Sequence, residues 1–359
     1  MMWPDRRLLD LFKIEHPIVL APMAGAVDAA LAIAVAEAGG LGSLPVALFN
    51  EQQMRAQMEK VRAATRKPIN LNFFCHTPPV PNNAREHAWR EALKPYYVEL
   101  GIDPAAPVPS SNRTPFDAAF CTVVEEIKPE VVSFHFGLPE ASLLKRVKAA
   151  GSLVMSSATT VKEARWLEAN GCDVVIAQGY EAGGHRGMFL TDNLATQIGT
   201  FALVPQIVDA VKVPVIAAGG ITDARGIAAA LALGASAAQV GTAYMFCPES
   251  TIRPVHRAAL KAARDDGTVV TNLLTGKPAR GIINRVMREL GPISDVVPEF
   301  PLAGGALAPL GAKAQAQGSS DFSSMWAGQA AALGRELPAR ELTLKLVDET
   351  QALMRRMAG

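Results

Sequence analysis

One histidine of this sequence stands in a loop made largely of glycine. The segment GYEAGGHRGMF places His185 directly after Gly183 and Gly184, with Gly187 two residues further on. Glycines let a loop pack closely on a ligand, and an imidazole exchanges a proton near neutral pH. We therefore predict that His185 is the catalytic residue, against the alternative that it has a purely structural role.

Two later segments have the pattern of a phosphate-binding site. They are AAGGITDARG, whose glycines precede a helix that could start at Asp223, and QVGT. Glycines at such turns allow backbone N–H groups to approach an anion. The alternative is that they only form tight turns. The residues that we predict here are Gly219, Gly220, Gln239, Val240, Gly241 and Thr242.

Three other segments could contact a flat ligand with a polar edge. Ala21, Pro22 and Met23 have little side-chain bulk, so a ring system could lie against their backbone. Asn72 and Gln178 carry amides that both donate and accept hydrogen bonds. Each amide alone could equally satisfy nearby backbone groups. The prediction depends on their shared position at the ends of predicted strands.

The residues above follow a regular alternation of strands and helices. Short apolar runs alternate with alanine-rich helical stretches from residue 17 to about 245, as in repeated βα units. The runs are PIVLAPMAG, LGSLPVA, PINLNFF, VVSFHFG, LVMSSAT, CDVVIAQG, VPVIAAGG and AAQVGTAYM. This pattern predicts an α/β fold of the TIM-barrel class, with the site at the carboxyl ends of the strands. A doubly wound open sheet is the alternative, but it would carry its glycine motif after the first strand.

The length of 359 residues suits a barrel with one appended element. We predict a barrel over residues 1–265 and a smaller, mainly helical domain over residues 266–359, whose last helix could pack back on the barrel. The segment PVHRAALKAAR is the predicted last helix of the barrel itself. A proline-rich insertion at 76–115, after the third strand, is either a lid over the mouth or a surface excursion.

Other titratable residues have weaker settings. His135 ends the fourth predicted strand, where it would either reach the same mouth or serve as a hydrogen-bonded core residue. His16, His76 and His87 are expected to be solvated or loop residues. Glu181 is interpreted as a residue that structures the His185 loop.

Composition narrows the classes of partner. The chain has 35 basic and 34 acidic residues, a net charge of +1 and no basic run, so nucleic acid is not expected as a partner. No apolar stretch suits a membrane span and no signal-peptide core is seen at the start, so we expect a cytoplasmic protein without a membrane partner. Four widely spaced cysteines are expected to be reduced, with no metal site and Cys172 buried.

The segments APMAG, AEAGGLG, EAGGHRG, AAGGITDARG and QVGT, together with GAKAQAQGSSDFSSMWAGQ, resemble the nitronate monooxygenases, formerly called 2-nitropropane dioxygenases. The resemblance covers nearly the whole chain. It implies FMN, with its phosphate on the two glycine segments and its ring near Asn72, Gln178 and Gly183. It also implies that His185 lies over the flavin and that Lys313 reaches the same pocket.

The resemblance implies a reaction as well. An alkyl nitronate, or a nitroalkane, and dioxygen would give a carbonyl compound and nitrite, and the cofactor would perform the difficult step. Since a nitronate is already deprotonated, paired carboxylates are not needed. The sequence departs from the family pattern at His256, where relatives often have a tyrosine near the substrate, and in the stretch FPLAGGALAPLG.

Two other functions remain open on sequence grounds. A related flavin barrel could take hydride from NADH or NADPH and reduce quinones or enoyl thioesters, although Arg186 after His185 favours the monooxygenase. A flavin-binding protein without turnover is the second alternative. The oligomeric state, monomer or homodimer, is also open.

Overall fold

The computed structural model describes residues 3–109 and 113–359. Its strands, in chain order, are β1 (Ile18–Leu20), β2 (Gly42–Pro45), β3 (Ile69–Phe74), β4 (Val131–His135), β5 (Leu153–Ala158), β6 (Val174–Gln178), β7 (Gly184–His185), β8 (Val215–Ala218), β9 (Ala237–Val240), β10 (Thr268–Thr271) and β11 (Ala279–Ile282). Its helices are α1 (Arg7–Phe12), α2 (Ala29–Glu37), α3 (Glu51–Ala64), α4 (Asn83–Glu99), α5 (Ala118–Ile127), α6 (Ala141–Ala149), α7 (Val161–Ala169), α8 (Thr200–Ala210), α9 (Ala224–Ala232), α10 (Thr242–Met245), α11 (Pro254–Lys261), α12 (Arg285–Leu290), α13 (Ala303–Ala316) and α14 (Ala339–Ala358).

Eight parallel strands form the barrel, in the order β1-β9-β8-β6-β5-β4-β3-β2. A parallel bridge between Val19 and Leu41 joins the first strand to the second, with Leu41 N donating to the carbonyl of Ile18 at 2.9 Å. Each strand lies within one of the apolar runs, so the predicted TIM barrel is confirmed. The runs are apolar on both faces because side chains inside the barrel and helices outside it cover every strand.

The outer ring of helices is completed by the end of the chain. Helix α14 packs between α9 and α2, and its Leu342 and Leu346 join the barrel core. The last helix of the chain thus packs on the barrel, as the sequence suggested, whereas residues 254–264 are not the last helix of the ring that the sequence also predicted. Residues 254–261 form helix α11 instead. Its Leu260 packs in a small apolar cluster with Met245 and Ala331 beside the cavity.

A second core lies beside the barrel. Helix α4 of the insertion packs on α13, and Trp89 Nε1 donates to the carbonyl of Ala303 at 3.1 Å. This part of the chain was predicted to be mainly helical, but it also has an antiparallel sheet in the order β10-β11-β7. The domain boundary at residue 265 stays a prediction. Helix α4 and strand β7, which precede residue 265, share the second core and the antiparallel sheet with segments that follow it.

None of the helices in the described residues is long and apolar enough to cross a membrane. The four cysteines form no disulfide with one another, and Cys172 is buried, as predicted.

Candidate active site

A cavity of about 460 Å³ opens at the carboxyl ends of the barrel strands, which is where TIM barrels carry their active sites. Most of the residues predicted from the sequence line its wall. They are Ala21, Pro22, Met23, Asn72, His135, Gln178, Gly183, Gly184, His185, Gly219, Gly220, Gln239, Gly241, Thr242 and His256. The barrel thus brings together residues that are more than 200 positions apart in the chain.

Two predicted residues do not line the cavity. Val240 is buried in the barrel core, because side chains alternate along β9 and its neighbour Gln239 takes the cavity side. Lys313 is exposed on α13, next to the buried Ala314, which places the lysine on the solvent side of that helix. The resemblance suggested Lys313 as a cavity residue, and the structure does not place it there.

One end of the cavity is a glycine cradle. Gly219 and Gly220 have φ of +119° and +70°, which L side chains rarely adopt. A Cβ on Gly219 would lie 2.9 Å from the hydroxyl of Thr200. Within the described part of the chain, the N–H groups of Gly220 and Gly241 donate to no protein acceptor. Free N–H groups beside the N-terminus of α9, which Asp223 caps as predicted, suit a phosphate group.

Gln239 gives an independent test of whether a ligand belongs here. Its Oε1 is buried and has no hydrogen-bond partner among the described residues. Buried polar atoms in native proteins nearly always have a partner, so this acceptor calls for a ligand N–H or O–H. A mononucleotide flavin offers such donors on its ribityl chain and ring edge, and a phosphate for the cradle. The residues present therefore fit FMN.

The two predicted amides are engaged with the protein. Gln178 donates through Nε2 to the carbonyl of His185 at 2.9 Å and accepts the N–H of Gly187 through Oε1 at 2.7 Å. Asn72 donates to the hydroxyl of Ser133 at 2.9 Å. Gln178 thus fixes the His185 loop from the barrel side, and it also lines the cavity.

The His185 loop is also held from the second core. Its residues form β7, which pairs with β11 so that His185 lies opposite Ala279 and Gly184 opposite Arg280. Gly183 comes so close to residues 327–328 that a Cβ would lie 2.6 Å from their backbone. The glycines before His185 are therefore needed for close backbone approach, as the sequence suggested.

The His185 ring lies in an aromatic and cationic environment. It contacts Phe300 and Trp326 at centroid distances of 5.2 and 5.3 Å, and its Nε2 lies 2.9 Å from the hydroxyl of Thr275. Burial, followed by the charge of Arg113, holds the pKa of His185 well below its usual range. The imidazole is therefore neutral at pH 7, a form that accepts a proton.

His135 has both of its ring nitrogens occupied. Its Nε2 lies 3.1 Å from the carbonyl of His185 and its Nδ1 lies 2.5 Å from the hydroxyl of Ser157. Only a protonated Nε2 can donate to a carbonyl, so Nδ1 accepts from Ser157. Burial lowers the pKa of His135 to about 4. His135 lines the cavity, but its ring nitrogens bond to Ser157 and to the backbone of the His185 loop.

Two other histidines are buried nearby. His256 donates through Nε2 to the carbonyl of Trp326 at 3.1 Å, and burial lowers its pKa to about 4. His76 lies in a loop, as expected, but it is not solvated, because it packs edge-on against Phe300 at 4.9 Å. Its pKa is also lowered to about 4, chiefly by burial.

Two cations that act on His185 were not predicted from the sequence. Arg113 lines the cavity, whereas Lys277 does not, and the ammonium group of Lys277 lies 4.9 Å from the ring centroid of Phe136 and 3.8 Å from Asp192. Burial lowers the pKa of both cations. Glycine and proline in TGKPARG indicate a loop at Lys277, but no spacing in the sequence relates that loop to His185.

Glu181 has the structural role that the sequence suggested. Its carboxylate accepts the N–H and the hydroxyl of Thr200, at 2.7 and 2.8 Å, at the first turn of α8. Anions at this end of a helix are stabilised by its dipole. The cavity wall itself includes no carboxylate among the residues that the structure describes.

A parallel barrel with a phosphate cradle, an unpaired amide acceptor and a neutral histidine over the same cavity defines a flavin-dependent oxidoreductase of the TIM-barrel class. Comparison with known proteins agrees with this class. The family model described as nitronate monooxygenase matches residues 5–349, and the chain belongs to that family.

Individual relatives match over nearly their full length. The nitronate monooxygenase of Pseudomonas aeruginosa is 44% identical over 345 residues, which cover 96% of this chain and 98% of the relative. That of Paraburkholderia phytofirmans is 45% identical over 348 residues, 96% of this chain and 94% of the relative.

Solved structures show the same fold. A nitroalkane oxidase from Streptomyces ansochromogenes superposes with a TM-score of 0.88 at 36% identity, covering 98% of this chain and 99% of the other. FabK from Thermotoga maritima superposes with a TM-score of 0.75 at 30% identity, covering 98% of both chains.

The low pKa of His135 predicts how stability depends on pH. An unfolded histidine takes up its proton near pH 6.5, whereas folded His135 does so only near pH 4. Between these values the unfolded state binds more protons, so the free energy of unfolding falls as the pH falls. In the middle of this range one such histidine contributes a slope of about 1.4 kcal/mol per pH unit.

The variant His135→Gln should therefore reduce the slope of unfolding free energy against pH by about that amount, measured by denaturant unfolding from pH 6.5 to 4.5. An unchanged slope would show that His135 titrates normally in the folded protein.

Proposed function

We propose that this protein oxidises alkyl nitronates with FMN and dioxygen to carbonyl compounds and nitrite, and accepts nitroalkanes through proton removal by His185. Family membership supports the substrate class. The observation that carries the proposal is the charge of the cavity wall, which includes the cations Arg113 and Arg253, three histidines that are neutral at pH 7, and no carboxylate among the described residues. Such a wall favours a small anion.

Each part of the wall has a separate task in this proposal. The glycine cradle and Gln239 would hold the phosphate and a polar group of FMN, and bound FMN would supply the electron-transfer chemistry. Arg113 would orient the two oxygens of the anionic nitronate, since a guanidinium forms strong hydrogen bonds to paired oxygens. His185, neutral at pH 7, would take the proton that a neutral nitroalkane must lose.

The aromatic side chains of Phe74 and Trp326 also line the cavity. They would exclude water from the reacting atoms and pack against the alkyl part of the substrate, which strengthens each electrostatic contact inside the site.

The direct test mixes the FMN-loaded protein anaerobically with an alkyl nitronate, and separately with NADH and NADPH, while the flavin absorbance is recorded. We expect bleaching by the nitronate and nitrite release after air is admitted. Bleaching by a nicotinamide alone would overturn the proposal in favour of a reductase acting on quinones or enoyl thioesters. FMN that binds but is bleached by neither reagent would indicate a flavin-binding protein without turnover.

The glycine cradle can be tested separately with a matched pair of variants. Gly220→Ala would place a methyl group in the cradle, 3.2 Å from Glu181, at a φ of +70°. Gly101→Ala introduces the same substitution at a φ of +65°, but with no atom within 4 Å and away from the cavity. Both carry a backbone cost of about 1 to 2 kcal/mol.

Only Gly220→Ala should raise the dissociation constant for FMN, by about tenfold or more, as measured by quenching of flavin fluorescence. Equal FMN affinity in the two variants would show that the phosphate binds elsewhere.

A further inference from the structure

The segment after β10 holds both the ring and the backbone of His185. Thr275, which is buried, lies with Oγ1 2.9 Å from Nε2 of His185, although the two residues are 90 positions apart. Three residues later, the carbonyl of Pro278 accepts the N–H of Arg186 at 2.8 Å. The ring therefore has a defined partner on a segment that the β7–β11 pairing keeps in place.

The contacts of Thr275 indicate where the imidazole proton of His185 lies. A threonine hydroxyl has one proton to donate, and here it donates to the carbonyl of Lys277 at 3.3 Å. With that proton engaged, the same oxygen acts as an acceptor toward His185, an arrangement that requires the imidazole proton on Nε2. A neutral imidazole has only one N–H, which leaves a lone pair on Nδ1.

The opposite tautomer satisfies fewer groups. If Nε2 lacked the proton, Thr275 would donate to it, and the carbonyl of Lys277 would lose its donor. In residues 3–109 and 113–359, Nδ1 of His185 has no hydrogen-bond partner that could accept a proton. The charged and titratable groups that act on the ring are Arg113, Lys277, His76 and His135, and no carboxylate is among them. These positive neighbours disfavour the doubly protonated imidazolium, so Nδ1 keeps its lone pair.

We propose that Thr275 is a positioning residue that fixes His185 with its proton on Nε2, so that Nδ1 is the atom that accepts a proton from a neutral nitroalkane. This inference rests on the proposed function. In the step, the α-carbon proton moves to Nδ1 and the C–H electron pair becomes the C=N π bond of the nitronate. The imidazolium that forms keeps its Nε2–H bond to Thr275, and no electron leaves the substrate at this stage.

A pair of substitutions at Thr275 separates the hydroxyl from the volume of the side chain. Thr275→Val keeps the shape and removes the hydroxyl, whereas Thr275→Ser keeps the hydroxyl. Because Thr275 accepts from a charged N–H only after proton transfer, its loss should lower kcat/KM for a neutral nitroalkane by about tenfold to a hundredfold. For the preformed nitronate, kcat/KM should change by less than about twofold, and Thr275→Ser should restore most of the nitroalkane rate.

A buried threonine in the same segment serves as the matched control. Thr271 accepts the N–H of Leu273 through Oγ1 at 3.1 Å, and among the hydrogen bonds of the described residues none joins it to His185. Thr271→Val should leave the ratio of nitroalkane to nitronate activity unchanged. An equal loss on both substrates in Thr275→Val, matched by Thr271→Val, would overturn the proposal, because it would show only a damaged fold.

The tautomer can be measured without turnover. In protein labelled with ¹⁵N-histidine, ring nitrogen shifts distinguish a protonated from an unprotonated nitrogen, and the His185 signal is the one absent from His185→Gln. We expect a protonated Nε2 and a bare Nδ1 in the parent, and a mixture of tautomers in Thr275→Val. A protonated Nδ1 in the parent would overturn the proposal. If the parent turned over neither substrate, the proposed function would fail, while the nitrogen shifts would still decide the tautomer.

Discussion

The carbonyl oxygen of His185 accepts hydrogen bonds from Gln178 and His135, and the adjoining backbone pairs with β11. The barrel supplies the first two contacts and the second core supplies the third. A glycine-rich loop has high conformational entropy when it is free, so a catalytic side chain on it needs such restraint from both sides. The antiparallel sheet and His135 therefore act together to hold the backbone that carries the His185 side chain.

This support also sets the charge of the site. His185 is buried beside the cations Arg113 and Lys277, and His135 beside Arg186 and Lys277. The cavity wall itself includes no carboxylate among the described residues. Histidine is the side chain that gives up its proton most readily in such a field, so the positive charge stays on the arginines and the lysine while the imidazoles remain neutral. The cations can then bind an anionic substrate while His185, in the same cavity, stays unprotonated and able to act as a base.

The sequence predicted the barrel and most of the cavity wall because both depend on local patterns. Doubly buried parallel strands give continuous apolar runs, and the site of a barrel lies where those runs end. The support of His185 could not be predicted in this way, since β10 and β11 are four residues each and the partner Thr275 is 90 positions from the histidine. Long-range pairing of this kind leaves no periodic signal. Lys277 was missed for the same reason. Lys313 was named only because of a resemblance, and it lies on the solvent side of α13.

A crystal structure of the FMN-loaded protein, grown without oxygen and soaked with an alkyl nitronate, tests the central claim most directly. We expect the FMN phosphate on the N–H groups of Gly220 and Gly241. The nitronate should lie within hydrogen-bonding distance, about 3 Å, of Nδ1 of His185, with Nε2 of the same ring still bonded to Thr275. A phosphate bound away from the cradle, or a His185 ring turned away from the ligand with Nε2 released from Thr275, would contradict it.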